Sequence, residues 1–535
     1  MFKNTLAFQT TDTYARRIAL LLQPAHRPLL SQGLRGIERE GLRVQLDGML
    51  GLTPHPATLG SALMHNQLTT DYSEALLEII TPAEHAIDVV LNQLDILHRY
   101  VYESIGDELL WNASMPCVLP PEEQIPIAQY GTSNIGQLKH VYRRGLALRY
   151  GKSMQCIAGI HYNFSLHEDI FRLLKKHEQV DGSLLQYQSN AYFSLIRNFH
   201  RSSWLLMFLF GASPAISRSF VRGRPNGLDM FDADTLFLPY ATSLRMSDLV
   251  GYQNTSRQSV VRADYNNLDG YLYTLANAVS QPYPPYEKLG TRCAGEWLQI
   301  NTNVLQIENE FYSTIRPKRI TQAGERPLHA LASRGVQYIE VRLLDIDPFE
   351  AMGISSNTTY FLEAYLLFCA LEESPFLYES EHAEIGNNFA RVVTQARRPG
   401  LELSLGGHLV PLQDWAVELF KKIEPAAALL DAQAGDGRYS VALAAQRAKV
   451  ENFSLTPSAR VLDVMNTTRR SFFRFALEQS IQHASAMRSR PLSRELHAYY
   501  AALAVRSLQK QTEIERTEIR SFDQFIASYR TYMPN

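Results

Sequence analysis

Cysteine is scarce in this 535-residue sequence: Cys117, Cys156, Cys293 and Cys369 are widely scattered and form no CxxC pair. That argues against a disulfide framework or a zinc site of the CxxC type, and predicts reduced thiols in a cytoplasmic protein. A charge excess is also missing. The 52 Lys and Arg against 54 Asp and Glu leave a formal net charge of -2, so no overall basic footprint points to nucleic acid. Long hydrophobic runs are absent. The most apolar stretch, Trp204 to Ala212, falls far short of the roughly 20 residues that span a bilayer, so it is expected to be a buried core helix, with no membrane partner. The start, Met1-Phe2-Lys3-Asn4, shows neither a long apolar h-region nor a clear cleavage site, and no signal peptide is expected. No GxxxxGK[ST] loop occurs, which excludes P-loop phosphate binding, and no kinase motif set occurs either.

What the sequence does have is acid where strands should carry something else. Glu38 and Glu40 lie in Gly36-Ile37-Glu38-Arg39-Glu40-Gly41-Leu42-Arg43-Val44, repeating with the strand period of two. In a strand over 337–346, Tyr338, Glu340 and Arg342 share one face while Ile339, Val341 and Leu343 share the other. Taken alone, Glu340 and Arg342 are also explained by an ordinary ion pair. In a strand over 157–166, His161, Asn163 and Ser165 form a polar file opposite Ile160, Tyr162, Phe164 and Leu166. A histidine in such a file suits a lined cleft, and neutral imidazole is a common metal ligand.

The run Thr69 to Pro82 admits two readings. Thr70 or Asp71 with Glu74 would make a capping box, with Asp71 and Glu78 two turns apart on one helix face. Alternatively it ends in a strand from Leu76 to Thr81, stopped by Pro82. Periodicity does not separate these. On the functional reading, Asp71 and Glu78 join Glu38 and Glu40 as oxygen ligands. Clustered carboxylates repel one another unless a cation lies between them, and hard oxygen ligands favour Mg²⁺ or Mn²⁺. Such ions around a triphosphate would neutralise charge during phosphoryl transfer. The basic run Ile315-Arg316-Pro317-Lys318-Arg319 would help hold nucleotide phosphates, or would be a solvated charged turn.

Composition, 45% hydrophobic and 20% charged, is that of an ordinary globular protein with a large core. A helix is expected over 12–32. Between about 36 and 350 the pattern is mixed, with strands expected over 36–45, 157–166, 296–308 and 337–346, and helices over 85–105, 135–149, 184–209 and 266–279. The segments 223–234 and 281–286 read as loops. After about 355 the pattern is helical: 361–371, 413–432, 438–449, 468–487, 491–515 and 521–532. No linker, repeat or low-complexity tract divides the chain, so one α+β domain over 1–535 with a helical elaboration is expected.

Together these residues resemble the bacterial type 1 glutamate–cysteine ligases (γ-glutamylcysteine synthetases). The resemblance covers most of the first 350 residues. It is carried by Gly36 to Glu40, Thr69 to Glu78, Ala128-Gln129-Tyr130-Gly131-Thr132-Ser133-Asn134, Gly159-Ile160-His161-Tyr162-Asn163-Phe164, Leu209-Phe210-Gly211-Ala212-Ser213-Pro214-Ala215, Tyr240-Ala241-Thr242-Ser243-Leu244-Arg245, Val304 to Glu310, and Tyr338 to Arg342. The helical C-terminal third resembles the family more loosely.

The resemblance implies a catalytic domain like that of glutamine synthetase, with a curved antiparallel sheet. It implies ATP-dependent ligation of L-glutamate to L-cysteine, the first step of glutathione synthesis. A related ligase with another amine acceptor is the alternative. A non-catalytic relative would be expected to have lost the metal carboxylates, and all the expected acids are present. By the match, Glu40, Asp71 and Glu78 would hold one metal, Glu38, His161 and Glu340 a second, and Glu38 with Glu340 would help hold a third at the nucleotide. Arg342 would stabilise the transferring phosphoryl group and Arg245 would bind the amino-acid carboxylate, with Arg316 and Lys318 toward the nucleotide. Tyr142, Gln155, Tyr252 and Tyr312 would line the cysteine pocket, with Tyr72 and Leu146 beside it. Tyr72 stands where a Phe is more usual, and Leu249-Val250-Gly251 carries one extra residue before Tyr252.

Overall fold

A seven-stranded sheet, every pairing in it antiparallel, carries the polar residues singled out above. Its strands are β1 (Arg35–Val44), β2 (Leu68–Thr70), β3 (Leu76–Ile80), β4 (Leu109–Leu110), β5 (Ile160–Phe164), β6 (Ile315–Lys318) and β7 (Tyr338–Leu344). They run in the order β6-β7-β5-β1-β3-β2, with β4 on the far end of β1. These coordinates are a computed structural model that describes residues 11–251, 261–322 and 324–531.

Alternation builds the sheet's two faces. Ile37, Leu77, Ile79, Ile160, Tyr162, Phe164, Ile339 and Val341 are buried on one side. The helices Ile87–Ser104 and Leu184–Phe210 pack behind them. The next layer is the helix Ser356–Leu371, in which every residue from Thr359 onward is buried. A helix that is apolar all round belongs in a core rather than at a surface. One hydrophobic cluster runs continuously from Tyr14 to Tyr500, so the C-terminal helices share the core of the sheet. Among the described residues, no helix is long and apolar enough to cross a membrane.

Two irregularities matter for the site. A β-bulge falls between Val341 and Leu344, where Leu344 rather than Leu343 pairs with Ile160. The helix Asn134–Tyr150 is capped twice over. Ser133 Oγ accepts the Gly136 N–H, and carboxylates from the far C-terminal region accept the Thr132 N–H (Glu515, 2.8 Å) and the Asn134 N–H (Glu518). Carboxylates are favoured at a helix N-terminus, where backbone N–H groups lack intrahelical partners.

The strands expected over 36–45, 157–166 and 337–346 are present in the core of each range, and 76–80 is a strand rather than a helix. The strand expected over 296–308 does not form. Glu296–Trp297 pairs with Arg292–Cys293, Asn303 makes an isolated bridge to Pro282, and the run ends in a 3₁₀ turn, Glu308–Glu310. Its side-chain amides bond backbone groups instead: Gln306 Oε1 accepts the Ile300 N–H, while Asn301 and Asn303 donate to the carbonyls of Gln306 and Val279. Such bonds compete with a ladder and here they win. The helix expected over 12–32 spans only Asp12–Leu22, because Pro24 and Pro28 cannot extend it; a 3₁₀ segment follows at Arg27–Ser31. Of the expected loops, 223–234 contributes Asp229–Met230 to a small antiparallel sheet, and 281–286 runs into the helical turn Pro284–Glu287. Helices at Glu168–His177, Pro327–Arg334, Glu379–Gln395 and Pro457–Thr468 were not anticipated.

Candidate active site

Strand register gathers the polar face. Glu38 stands opposite His161, Glu40 opposite Glu78, and Glu340 opposite both Asn163 and Arg316. His161 occupies the middle. Its Nδ1 lies 3.0 Å from Glu38 Oε2 and 3.8 Å from Glu340 Oε1, and its Nε2 lies 3.6 Å from Glu40 Oε1. Asn163 Nδ2 donates to Glu38 Oε1 (2.9 Å), and the Gly159 N–H donates to Glu40 Oε2 (2.7 Å). On the other flank, Arg342 Nη1 is 3.1 Å and Lys318 Nζ 3.4 Å from the Glu340 carboxylate.

The two flanks differ electrostatically. Burial alone would push the Glu340 carboxyl up, but Lys318, Arg342 and His161 outweigh it and hold it well below the usual carboxylate range. Arg342 is likewise held above its ordinary value: burial opposes its charge, and Glu340, Glu40 and Glu38 more than compensate. The β1–β3 flank has no such balance. Burial, then Glu38, Asp71 and Glu40, push the Glu78 carboxyl well above its usual range. Glu40 is raised too, again chiefly by burial, with Asp71 adding to it.

Lys139 opposes this at Glu78 without offsetting the crowded acids, and the geometry of the flank suits a cation. One ligand atom each from Glu38, Glu78 and His161 lie within 4.8 Å of one another. Two carboxylate oxygens and an imidazole nitrogen are a donor set for Mg²⁺ or Mn²⁺. This trio cuts across the two ligand sets that the resemblance implies, because His161 reaches toward both.

A measurable consequence follows from Glu78. Its folded-state proton affinity is raised, so ionising it as pH rises through that raised value removes stability, and a cation replacing the proton restores it. Adding Mg²⁺ or Mn²⁺ to chelator-treated protein is expected to raise Tm by about 3 °C near pH 8, and by less than half of that near about pH 5.5. Differential scanning calorimetry checks this. No gain at either pH would remove the cation reading.

Beside the acids is a cavity of about 120 Å³. Tyr72, Tyr142, Leu146, Gln155 and Tyr312 all line it, as do Arg245, Arg342 and Asp71. The Gln155 amide and the Tyr312 hydroxyl are hydrogen-bonded at 3.0 Å. Tyr142 and Leu146 sit one turn apart on the helix Asn134–Tyr150, so one face of it forms a wall. Tyr252 lies outside the described residues. Arg143, on the same wall, was not anticipated. It donates to the Asp71 carbonyl and its guanidinium lies 4.7 Å over the Tyr130 ring. The available signal was its place four residues after Lys139, whose amine is lowered to about 8 by burial and by Arg143, against Glu78 and Asp71.

A second cavity, of about 360 Å³, opens at β6 and is lined by Lys318, Arg319, Tyr338 and Asn309. Arg316 lines it as well, but its Nη2 donates to the carbonyls of Asn309 (3.0 Å) and Phe311. Nη2 therefore braces the loop 309–311 while the residue still lines the cavity beside Lys318. The run 315–319 is not a solvated turn, since β6 is a paired strand of the sheet.

Proteins of known class that share this architecture are ligases. A crystal structure of glutamate–cysteine ligase from Francisella tularensis in complex with AMP matches with a TM-score of 0.87 at 37% identity, covering 93% of this chain and 97% of that one. The glutamate–cysteine ligase family model matches residues 18–392. Glutamate–cysteine ligases of Janthinobacterium sp. (strain Marseille) and Pseudomonas aeruginosa are 57% and 56% identical, covering 98% and 97% of this chain and 99% and 98% of theirs. The chain belongs to the glutamate–cysteine ligase family. These relatives extend through the helical C-terminal third, beyond the end of the family model. A bifunctional glutathione synthetase from Pasteurella multocida shares the fold at 22% identity and a TM-score of 0.71; the match covers 96% of this chain and 59% of that one.

Proposed function

We infer that this chain joins the γ-carboxylate of L-glutamate to the amine of L-cysteine, converting ATP to ADP and phosphate. The observation that carries this reading is the pairing of a cation-demanding acidic flank with fixed cations on one sheet face, beside a cavity holding Arg245. A carboxylate is a poor acylating agent because oxide would have to leave. Transfer of the ATP γ-phosphoryl group to the glutamate γ-carboxylate gives an acyl phosphate. The cysteine amine attacks its carbonyl, phosphate departs, and the amine loses a proton.

Each residue has a place in that sequence. Arg342, kept charged by Glu340, faces the phosphoryl group with a forked guanidinium. Arg245 receives the glutamate carboxylate. Tyr72, Tyr142, Leu146, Gln155 and Tyr312 enclose the acceptor, with Tyr252 added from the family resemblance. Mg²⁺ or Mn²⁺ held by Glu38, Glu40, Asp71, Glu78, His161 and Glu340 would neutralise the repulsion between triphosphate and carboxylate. We place the nucleotide at the cavity lined by Arg316, Lys318, Arg319 and Tyr338; the AMP of the Francisella structure supports a nucleotide on this scaffold. The continuous hydrophobic cluster supports one catalytic domain, and the four scattered cysteines support a cytoplasmic setting.

The test is ADP release with glutamate and a panel of amines: cysteine, serine, alanine and glycine, each with Mg²⁺ and Mn²⁺. Cysteine is expected to exceed every other amine by about tenfold or more in kcat/KM. An equally good second amine would reassign the acceptor, and ADP release indifferent to any amine would sink the ligase reading.

A further inference from the structure

Two of the segments that carry the family resemblance, Leu209 to Ala215 and Tyr240 to Arg245, have no role beyond Arg245 in the chemistry above. They meet at one buried carboxylate. Asp345 follows β7 directly and is 4% exposed. Its Oδ2 accepts the Ala212 N–H (2.8 Å) and its Oδ1 accepts the Ser243 hydroxyl (3.0 Å). Arg245 Nη1 lies 3.6 Å from Oδ1. The two segments are also laced to each other: the Ser213 N–H donates to the Thr242 carbonyl and the Leu244 N–H to the Ser213 carbonyl.

Arg245 is itself held closely. Nη1 donates to the Leu343 carbonyl (3.0 Å) and Nη2 to the Arg342 carbonyl (2.9 Å). These are consecutive residues within the β-bulge, where the ladder is interrupted and carbonyls are released for other partners. Gly159 leaves room for the group, since a Cβ there would come within 2.1 Å of Nη2.

We propose that Asp345 is a positioning residue, holding the Arg245 guanidinium in place to receive the glutamate carboxylate; this rests on the reading of Arg245 given above. With neutral carbonyls alone, the buried Arg245 would depend for counter-charge on Glu40, which the reading above assigns to a metal. Nη1 already donates to the Leu343 carbonyl and to the Met246 sulfur (3.3 Å), so a carboxylate bonded to the guanidinium directly would displace one of these or take an N–H from the substrate. Asp345 avoids both outcomes. Ala212 and Ser243 engage its oxygens and hold them beyond hydrogen-bond distance of Nη1, so it offers charge without taking a donor.

Asp345→Asn tests this: the amide can turn its oxygen to the Ala212 N–H, its NH2 then donates to a Ser243 hydroxyl that has rotated to accept, and the charge beside Arg245 is lost. Steady-state ADP release is measured with each substrate varied in turn, beside Arg245→Gln. Arg245→Gln is expected to raise the glutamate KM by about 100-fold, and Asp345→Asn by about tenfold, with cysteine and ATP KM values and kcat within about threefold. Ser243→Ala keeps the charge but frees Oδ1 to turn onto Arg245, and is expected to raise the glutamate KM by about threefold. It stands in if Asp345→Asn does not fold. An effect of Arg245→Gln without one of Asp345→Asn, or a rise shared equally by all three substrates, overturns the positioning role. Arg245→Gln leaving the glutamate KM unchanged overturns the reading of Arg245 and the proposal with it.

Discussion

Glu340→Gln should lose about 10³-fold or more in kcat and still fold. The Glu340 carboxylate is 1% exposed, yet it is the most strongly ionised acid of the face, drawn down by Lys318, Arg342 and His161. A neutral amide of the same shape removes an oxygen ligand and the counter-charge that fixes Arg342. Stripping a carboxylate from buried partners ordinarily costs about 3–5 kcal/mol. Here the partners are not fully buried: the Lys318 and Arg342 side chains are 33% and 22% exposed, so water takes over part of the lost interaction and the fold holds. Glu38→Gln should behave alike, since Glu38 touches both His161 and Asn163. ADP release with glutamate and cysteine, alongside circular dichroism, gives the answer. Near-normal release by either folded variant would show that these acids do not serve the chemistry.

Arg342→Lys isolates the shape of a cation from its charge. Lysine keeps a positive group for Glu340 and preserves the local charge balance, but it is a point charge without the fork that can take two phosphoryl oxygens together. If Arg342 acts on the transferring group, kcat falls by about 10²-fold or more while the glutamate KM moves by less than about threefold. If it serves only to neutralise Glu340, lysine substitutes for it and kcat stays within about threefold. Varying glutamate at saturating ATP and cysteine separates the two outcomes.

The alternation in β1, β5 and β7 was legible because each strand has an apolar back: Ile37, Tyr162 and Val341 announce which neighbours face the other way. Strand pairing was not. Nothing in a linear reading brings Glu40 opposite Glu78 or puts His161 between Glu38 and Glu340, since register depends on partners far apart in the chain. The run 69–82 stayed open because Leu76, Leu77, Ile79 and Ile80 satisfy both periods; antiparallel pairing of β3 with β1 and β2 settles it as a strand. Arg143 was missed because a basic residue on a helix looks like solvated surface until the helix is seen to form a wall. Arg316 was legible in part: its place beside Lys318 marks the basic strand, whereas its bonds to the carbonyls of Asn309 and Phe311 appear only in the fold. Asp345 carried no pattern at all, because its partners come from two segments more than 95 residues before it.

The double cap on the helix Asn134–Tyr150 bears on the order in which this enzyme becomes complete. Glu515 and Glu518 lie 383 and 384 residues beyond the backbone groups they satisfy, at the head of the helix that presents Tyr142, Arg143 and Leu146. During synthesis, the strands bearing Glu38, His161, Glu340 and Arg342 emerge well before those carboxylates do. Until they do, the head of the Asn134–Tyr150 helix lacks two of its caps and keeps Ser133. The face that presents Tyr142, Arg143 and Leu146 therefore reaches its full bonding only with the last stretch of helix, and a nick near 515–518 is expected to loosen that face first.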